Sequence, residues 1–167
     1  MRAGSAAWWF AKTRQAKRHV LARVPARERD AVAVWLSPTQ LALYDAMHVA
    51  DQRHGLDVVA ALRAGGTDDP EVLLAGLLHD AGKGDAGLVP RVVHSLGQAQ
   101  VPLAARAVGW WPGMRATLER LRDHAETSAR LAEAAGCPPR TIELIRWQDD
   151  PRDPEAGERL RLADEAS

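Results

Sequence analysis

The chain has 167 residues, enough for one domain built around a single sizeable core. It carries 22 basic and 22 acidic residues, so its formal charge is zero and nothing global points to nucleic acid. Its one cysteine, Cys137, excludes an intrachain disulfide and a thiolate metal cluster, and no apolar run reaches the roughly 18 residues of a membrane span. With no secretory apolar segment at the N-terminus, a cytoplasmic location is expected. Ala, Leu, Val and Arg dominate, while Phe and Tyr occur once each, which favours helices over sheets.

Residues 1–27 hold seven Arg or Lys and no acid, which leaves 15 basic against 22 acidic groups in 28–167. Residues 5–24 read as a basic amphipathic helix, with Trp9, Ala16, Val20 and Val24 roughly on one face and Lys12, Arg14, Lys17 and Arg18 mostly elsewhere. Such a helix serves either as a membrane-surface or nucleic-acid arm, or as an element packing its Trp face with a solvated basic face. The second reading is adopted: 1–30 is a basic N-terminal helix packed on or flanking a helical domain of 31–167. Ser37-Pro38-Thr39-Gln40 is a helix start, because Ser37 caps, Pro38 suits the first turn and Gln40 completes a capping box. That helix runs to about Met47. A second starts near Asp51, continues through His54, Val58, Ala61 and Leu62, and stops at Gly65-Gly66. Asp69-Pro70 opens an apolar helix that ends in His79-Asp80, and Gly82, Gly84 and Gly87 make a loop after it. Residues 88–111, punctuated by Pro90, Pro102 and Pro112, hold one or two helices. Residues 114–135 read as helix with a break near His124 and a stop at Gly136. Pro138-Pro139 starts a helix through about Gln148, and Asp153-Pro154 caps a last helix holding Leu160, Leu162 and Asp164. With no strand-like alternation, repeat or low-complexity segment, the chain reads as an all-α bundle of about seven or eight helices.

The most informative stretch is Val72-Leu73-Leu74-Ala75-Gly76-Leu77-Leu78-His79-Asp80-Ala81-Gly82-Lys83-Gly84. An imidazole and a carboxylate side by side on the last turn of a core helix offer a nitrogen and an oxygen to one divalent ion. A buried carboxylate is costly unless a cation or a metal pairs with it. The plain alternative is a helix C-terminus with polar residues before a glycine stop. His54, His79, Asp80, His124 and Asp164 sit on four expected helices, each beside apolar residues that face a core. Helices from distant parts of a bundle converge such side chains on one metal. His19 and His48 read as surface or structural, and His94 follows the glycine-rich loop. Trp8-Trp9 and Trp110-Trp111 either pack in the core or form a partner patch.

The chain resembles the HD-domain superfamily of metal-dependent phosphohydrolases. That pattern is a His, then a His-Asp pair, then a distant Asp, on an all-α bundle. Here Asp51-Gln52-Arg53-His54-Gly55-Leu56-Asp57-Val58 is similar to the helix carrying the first His. Leu77-Leu78-His79-Asp80-Ala81-Gly82-Lys83 is similar to the HD helix with its Gly-Lys extension, and Leu162-Ala163-Asp164-Glu165-Ala166-Ser167 to the helix carrying the last Asp. The likeness spans roughly residues 40–167 and would make 31–167 an HD-type domain. It implies His54, His79, Asp80 and Asp164 as metal ligands, and the mixed N/O set suits one divalent transition ion (Mn, Fe, Ni, Co or Zn) better than Ca. It implies Lys83 near the mouth, holding a phosphate oxygen; the alternative is a lysine complementing a helix dipole.

Binuclear members of the family add histidines after the HD pair. His124 resembles the first of these, but Arg146-Trp147-Gln148-Asp149-Asp150 stands where a further His is usual, and Gln148 or Asp149 would have to supply an oxygen instead. One metal is therefore expected, with His124 supporting the site, contacting substrate or giving a proton to the leaving oxygen. The implied function is hydrolysis of a small phosphate ester, such as a nucleotide, by metal-activated water. Asp80, Lys83 and His124 would be catalytic, and Lys83, Arg53 and His124 would contact the substrate. The acidic loop 149–155, with Asp150 in it, would shape access. The alternatives are a catalytically silent metal- or ligand-binding domain with a regulatory or interaction role, a two-iron oxygenase, which the Trp147-Gln148 departure argues against, and a scaffold without metal. No nucleic-acid partner is expected, and the oligomeric state is left open.

Overall fold

The computed structural model describes residues 22–84 and 123–167, and the helices are numbered in chain order among these. Of the helix expected over 5–24 only residues 22–24 fall within them, and these are not helical. Most of 1–30, the ambiguous stretch 88–111, both Trp pairs, His19 and His94 lie outside the described residues. Residues 23–84 and 124–167 form one unit, and its regular structure is entirely helical.

Helix α1, Ala26–Ala33, has no counterpart in the pattern reading. Its charged sequence buries only Val32, so it carries no apolar period. Ion pairs attach it instead: Arg29 meets Asp45 at 2.5 Å, and Glu28 pairs with Arg53. Residue 30 falls inside it. Helix α2, Pro38–Ala46, starts at the expected capping box: Ser37 Oγ accepts the Gln40 N–H at 3.3 Å, and Gln40 Oε1 accepts the Ser37 N–H at 3.0 Å. Helix α3, Val49–Ala64, begins two residues before the expected Asp51. The reason is His48, whose Nδ1 accepts the Ala50 N–H at 3.2 Å and so caps it.

Helix α4, Pro70–Leu78, starts where Asp69 accepts the Glu71 N–H at 3.0 Å, and it buries every residue from Val72 to Leu78. A helix apolar all round must be covered on several sides. Here α3 and two later helices, α6 (Pro139–Arg146) and α7 (Ala156–Ala166), pack against it. Leu77 and Leu78 are fully buried, each contributing about 1.5–3 kcal/mol relative to an exposed side chain. The expected position of His79-Asp80 on the last turn needs correcting. The helix ends at Leu78, His79 is its C-cap, and Asp80 (φ −98°, ψ 5°) already leads into a 3₁₀ turn, Ala81–Lys83.

Helix α5, His124–Ala134, packs on that turn and on α6. It ends before Gly136, whose φ of +73° is the left-handed region that favours glycine. Helix α6 stops two residues short of Gln148. Asp153 Oδ1 accepts the N–H groups of Glu155 (3.0 Å) and Ala156 (2.8 Å) at the start of α7, as expected of Asp153-Pro154. Among the described residues no helix is long and apolar enough to cross a membrane.

Candidate metal centre

The site is built where α3 crosses the end of α4. A Cβ on Gly55 would lie 2.4 Å from the Leu77 carbonyl oxygen, so only glycine allows the two backbones this approach. His54 precedes that glycine and His79 follows Leu78 by one residue, so the same contact sets the two imidazoles side by side. Their ring centroids are 5.2 Å apart, nearly edge to face. Helix α7 packs on both α3 and α4 and delivers Asp164. Asp164 Oδ1 lies 2.7 Å from His54 Nε2 and 3.4 Å from His79 Nε2. One ligand atom from each of His54, His79 and Asp164 falls within 4.8 Å of the other two.

Asp80 completes the cluster. Its Oδ1 is 3.5 Å from His79 Nε2 and 3.6 Å from His124 Nε2, and its Oδ2 is 3.9 Å from His54 Nε2. Thus His54 and His79 each have both Asp80 and Asp164 within 4 Å, with His124 against the Asp80 edge. The glycine of the 3₁₀ turn is equally constrained. A Cβ on Gly82 would lie 2.5 Å from the His124 carbonyl and 2.6 Å from the Ser128 amide nitrogen. The Gly82 N–H donates to Ser128 Oγ at 2.8 Å, which locks the turn to α5 and so Asp80 to His124.

Two atoms of this cluster are buried without a hydrogen-bond partner: His79 Nε2 and Asp80 Oδ1. Orphaned polar atoms this close together are costly unless something else satisfies them. A divalent transition ion fits. With bonds of about 2.0–2.2 Å, neighbouring ligand atoms on such an ion stand about 3.0–3.5 Å apart, as His79 Nε2 does from Asp164 Oδ1 at 3.4 Å and from Asp80 Oδ1 at 3.5 Å. The tautomer fits as well. His79 Nδ1 is 2.9 Å from the Gly76 carbonyl, which only accepts, so Nδ1 carries the hydrogen and Nε2 is the nitrogen that could hold an ion.

The charges are strongly coupled. Burial opposes charge on His79, but the Asp80 and Asp164 carboxylates outweigh it and push the imidazole up to about 9. Burial likewise opposes ionisation of Asp80, yet His79 and Lys83 hold its carboxyl well below the usual range. Asp164 is lowered too, burial being overcome by the hydrogen bond with His54 and the charges of the His54 and His79 imidazoles beside it. Its side chain is 44 % exposed against 1 % for Asp80, so the cluster opens to solvent on the Asp164 side.

The remaining expected residues are placed as follows. Lys83 is at the cluster, with Nζ 2.5 Å from Asp80 Oδ2. Burial lowers its pKa and Asp80 more than compensates, so it is raised and stays charged. Arg53 turns the other way on α3: its partners are Glu28 and Asp57 rather than any of the four candidate ligands. Gln148 is buried and donates to the His79 carbonyl at 3.4 Å, with the same nitrogen 3.3 Å from His124 Nε2. Asp149 and Asp150 are exposed. Sequence reasoning missed two contributors, Asp51 and Ser128. Asp51 is buried one turn before His54, and Ser128 lies four residues after His124. Helical spacing from a known site residue was the available signal for both. No protein-family model, curated protein or solved structure matches the chain.

Proposed function

We propose that this chain is a metal-dependent phosphohydrolase of the HD type. It acts on a small phosphate ester such as a nucleotide and holds one divalent transition ion between His54, His79, Asp80 and Asp164. The observation that supports the metal centre is the pair of buried, unsatisfied atoms His79 Nε2 and Asp80 Oδ1, 3.5 Å apart. The reaction class rests on the likeness of the three sequence blocks to the HD superfamily.

When bound, the ion supplies Lewis acidity, polarising a phosphoryl oxygen and lowering the pKa of water. The side chains supply the rest. The His79 ring is held in orientation by the Gly76 carbonyl. His54 and Asp164 form the solvent-exposed edge, where a phosphate enters. His124 lies 3.6 Å from Asp80 Oδ1, suited to giving a proton to the leaving oxygen. The Lys83 ammonium offsets the negative charge of two carboxylates and an approaching phosphate.

A second reading, a metal-binding but catalytically silent module, is favoured by Gln148, whose amide sits 3.3 Å from His124 where two-metal HD centres place another imidazole. One experiment separates them: metal content together with hydrolysis of a generic phosphate ester in Mn, Co or Ni, on wild type and Asp80→Ala. One ion per chain and hydrolysis, both lost in the variant, is the expected result. Bound metal without hydrolysis would leave the silent module. No metal in wild type after reconstitution would overturn both readings.

A further inference from the structure

We propose that Lys83 is a positioning residue for this centre: its ammonium occupies Asp80 Oδ2 and turns Oδ1 alone toward the ion, making Asp80 a one-oxygen ligand. The inference rests on the metal reading above.

Local geometry places the lysine. Asp80 caps and Lys83 ends a 3₁₀ turn closed by the Lys83 N–H donating to the Asp80 carbonyl at 3.0 Å. A 3₁₀ turn has about 3.0 residues per turn, so side chains at i and i+3 eclipse. The ammonium therefore lies directly over the carboxylate, and the measured Nζ–Oδ2 distance is 2.5 Å. Two glycines keep the turn. Gly82 allows the contact with His124 and Ser128, and Gly84 caps the turn at φ +59°.

The two oxygens of Asp80 thereby acquire different tasks. Oδ2 holds Lys83, while Oδ1 faces His79 and His124 with no hydrogen bond. The carboxylate is 1 % exposed, so no bulk water competes for either oxygen. Asp51, buried on α3, adds a second negative charge that favours the ammonium where it is. A carboxylate released from Lys83 would be free to rotate and bring both oxygens to the ion, raising its coordination number. A lysine that only gripped phosphate would have no need of a buried carboxylate partner.

The test is the visible spectrum of the Co(II)-loaded protein, whose d–d bands weaken as coordination number rises. Wild type and Lys83→Gln, which keeps an N–H donor, are expected to share one spectrum. Lys83→Met is expected to give weaker, shifted bands and about 10–100-fold lower Co(II) affinity, the usual effect of removing a ligand's support. An unchanged spectrum in Lys83→Met, with only inorganic phosphate binding weakened, would make Lys83 a phosphate contact and overturn the inference while sparing the metal reading. Failure of wild type to bind Co(II) would overturn the metal reading itself, and the inference with it. If Lys83→Met does not fold, a crystal structure of the Zn-loaded wild type decides. Lys83 within about 3.2 Å of Oδ2 and Oδ1 alone on the ion is expected. Both oxygens on the ion would refute it.

Discussion

Replacing Gly55 by Ala tests the link between helix packing and the metal centre. The added Cβ would stand 2.4 Å from the Leu77 carbonyl oxygen, a backbone atom that no rotamer change can move. An ordinary C···O contact needs about 3.3–3.6 Å, so α3 and α4 must separate by about 1 Å. Overpacking of this kind costs about 1–3 kcal/mol. That corresponds to a fall in melting temperature of about 2–12 °C for a chain of this size. The same displacement moves His54 from His79, and ligand distances tolerate only about 0.2 Å. Metal affinity should therefore fall about 10–100-fold. Thermal unfolding of the metal-free protein and calorimetric titration with Zn or Co measure the two effects. Gly65→Ala is the control, since its Cβ would meet carbonyls no closer than 3.3 Å. A Gly55→Ala protein with wild-type melting temperature and wild-type metal affinity would refute the account of how α3 and α4 build the site.

The pH dependence of the metal-free protein follows from the shifted groups. Asp80 and Asp164 are lowered, so their contribution is present above the unfolded carboxylate value of about 4 and is lost as pH falls. His79 is raised to about 9, so its contribution is full below about 6.5 and disappears as pH rises through 9. The melting temperature should peak between about pH 4 and 6.5, and metal affinity should rise with pH because the ligand imidazole must lose its proton. A melting temperature flat from pH 6.5 to 9 would count against this coupling. Ser128→Ala leaves the buried Gly82 N–H without an acceptor, and chemical denaturation should show a loss of about 1–3 kcal/mol together with weaker metal binding. Ser37→Ala removes the α2 cap, far from the cluster in sequence. It should cost about 0.5–2 kcal/mol in the same assay and leave metal affinity alone.

Much of the fold was readable because its signals are local. Ser37 with Gln40, Asp69 with Pro70, and Asp153 before α7 each satisfy a helix terminus through contacts within three residues, so residue order alone places them. The unbroken apolar run of α4 announced a helix buried on every side. Helix α1 was not readable, because ion pairs to Asp45 and Arg53 attach it rather than an apolar face, and such pairs leave no period. Arg53 shows the converse. Its place beside His54 suggested a phosphate contact, but neighbours on a helix point to different sides, and Arg53 reaches Glu28 and Asp57.

By itself, then, the sequence determined the all-α character of the described residues, most of their helix boundaries within a few residues, and the adjacency of His79, Asp80 and Lys83 at the end of a core helix. Only the tertiary structure decided that His54 and Asp164, 110 residues apart, meet at 2.7 Å, and that His79 Nε2 and Asp80 Oδ1 are left buried and unsatisfied. Caps and turns are settled by contacts within one turn of the chain. Convergence of ligands depends on how closely α3, α4 and α7 approach, and that was set by side-chain volume at positions such as Gly55, whose partner Leu77 is 22 residues away.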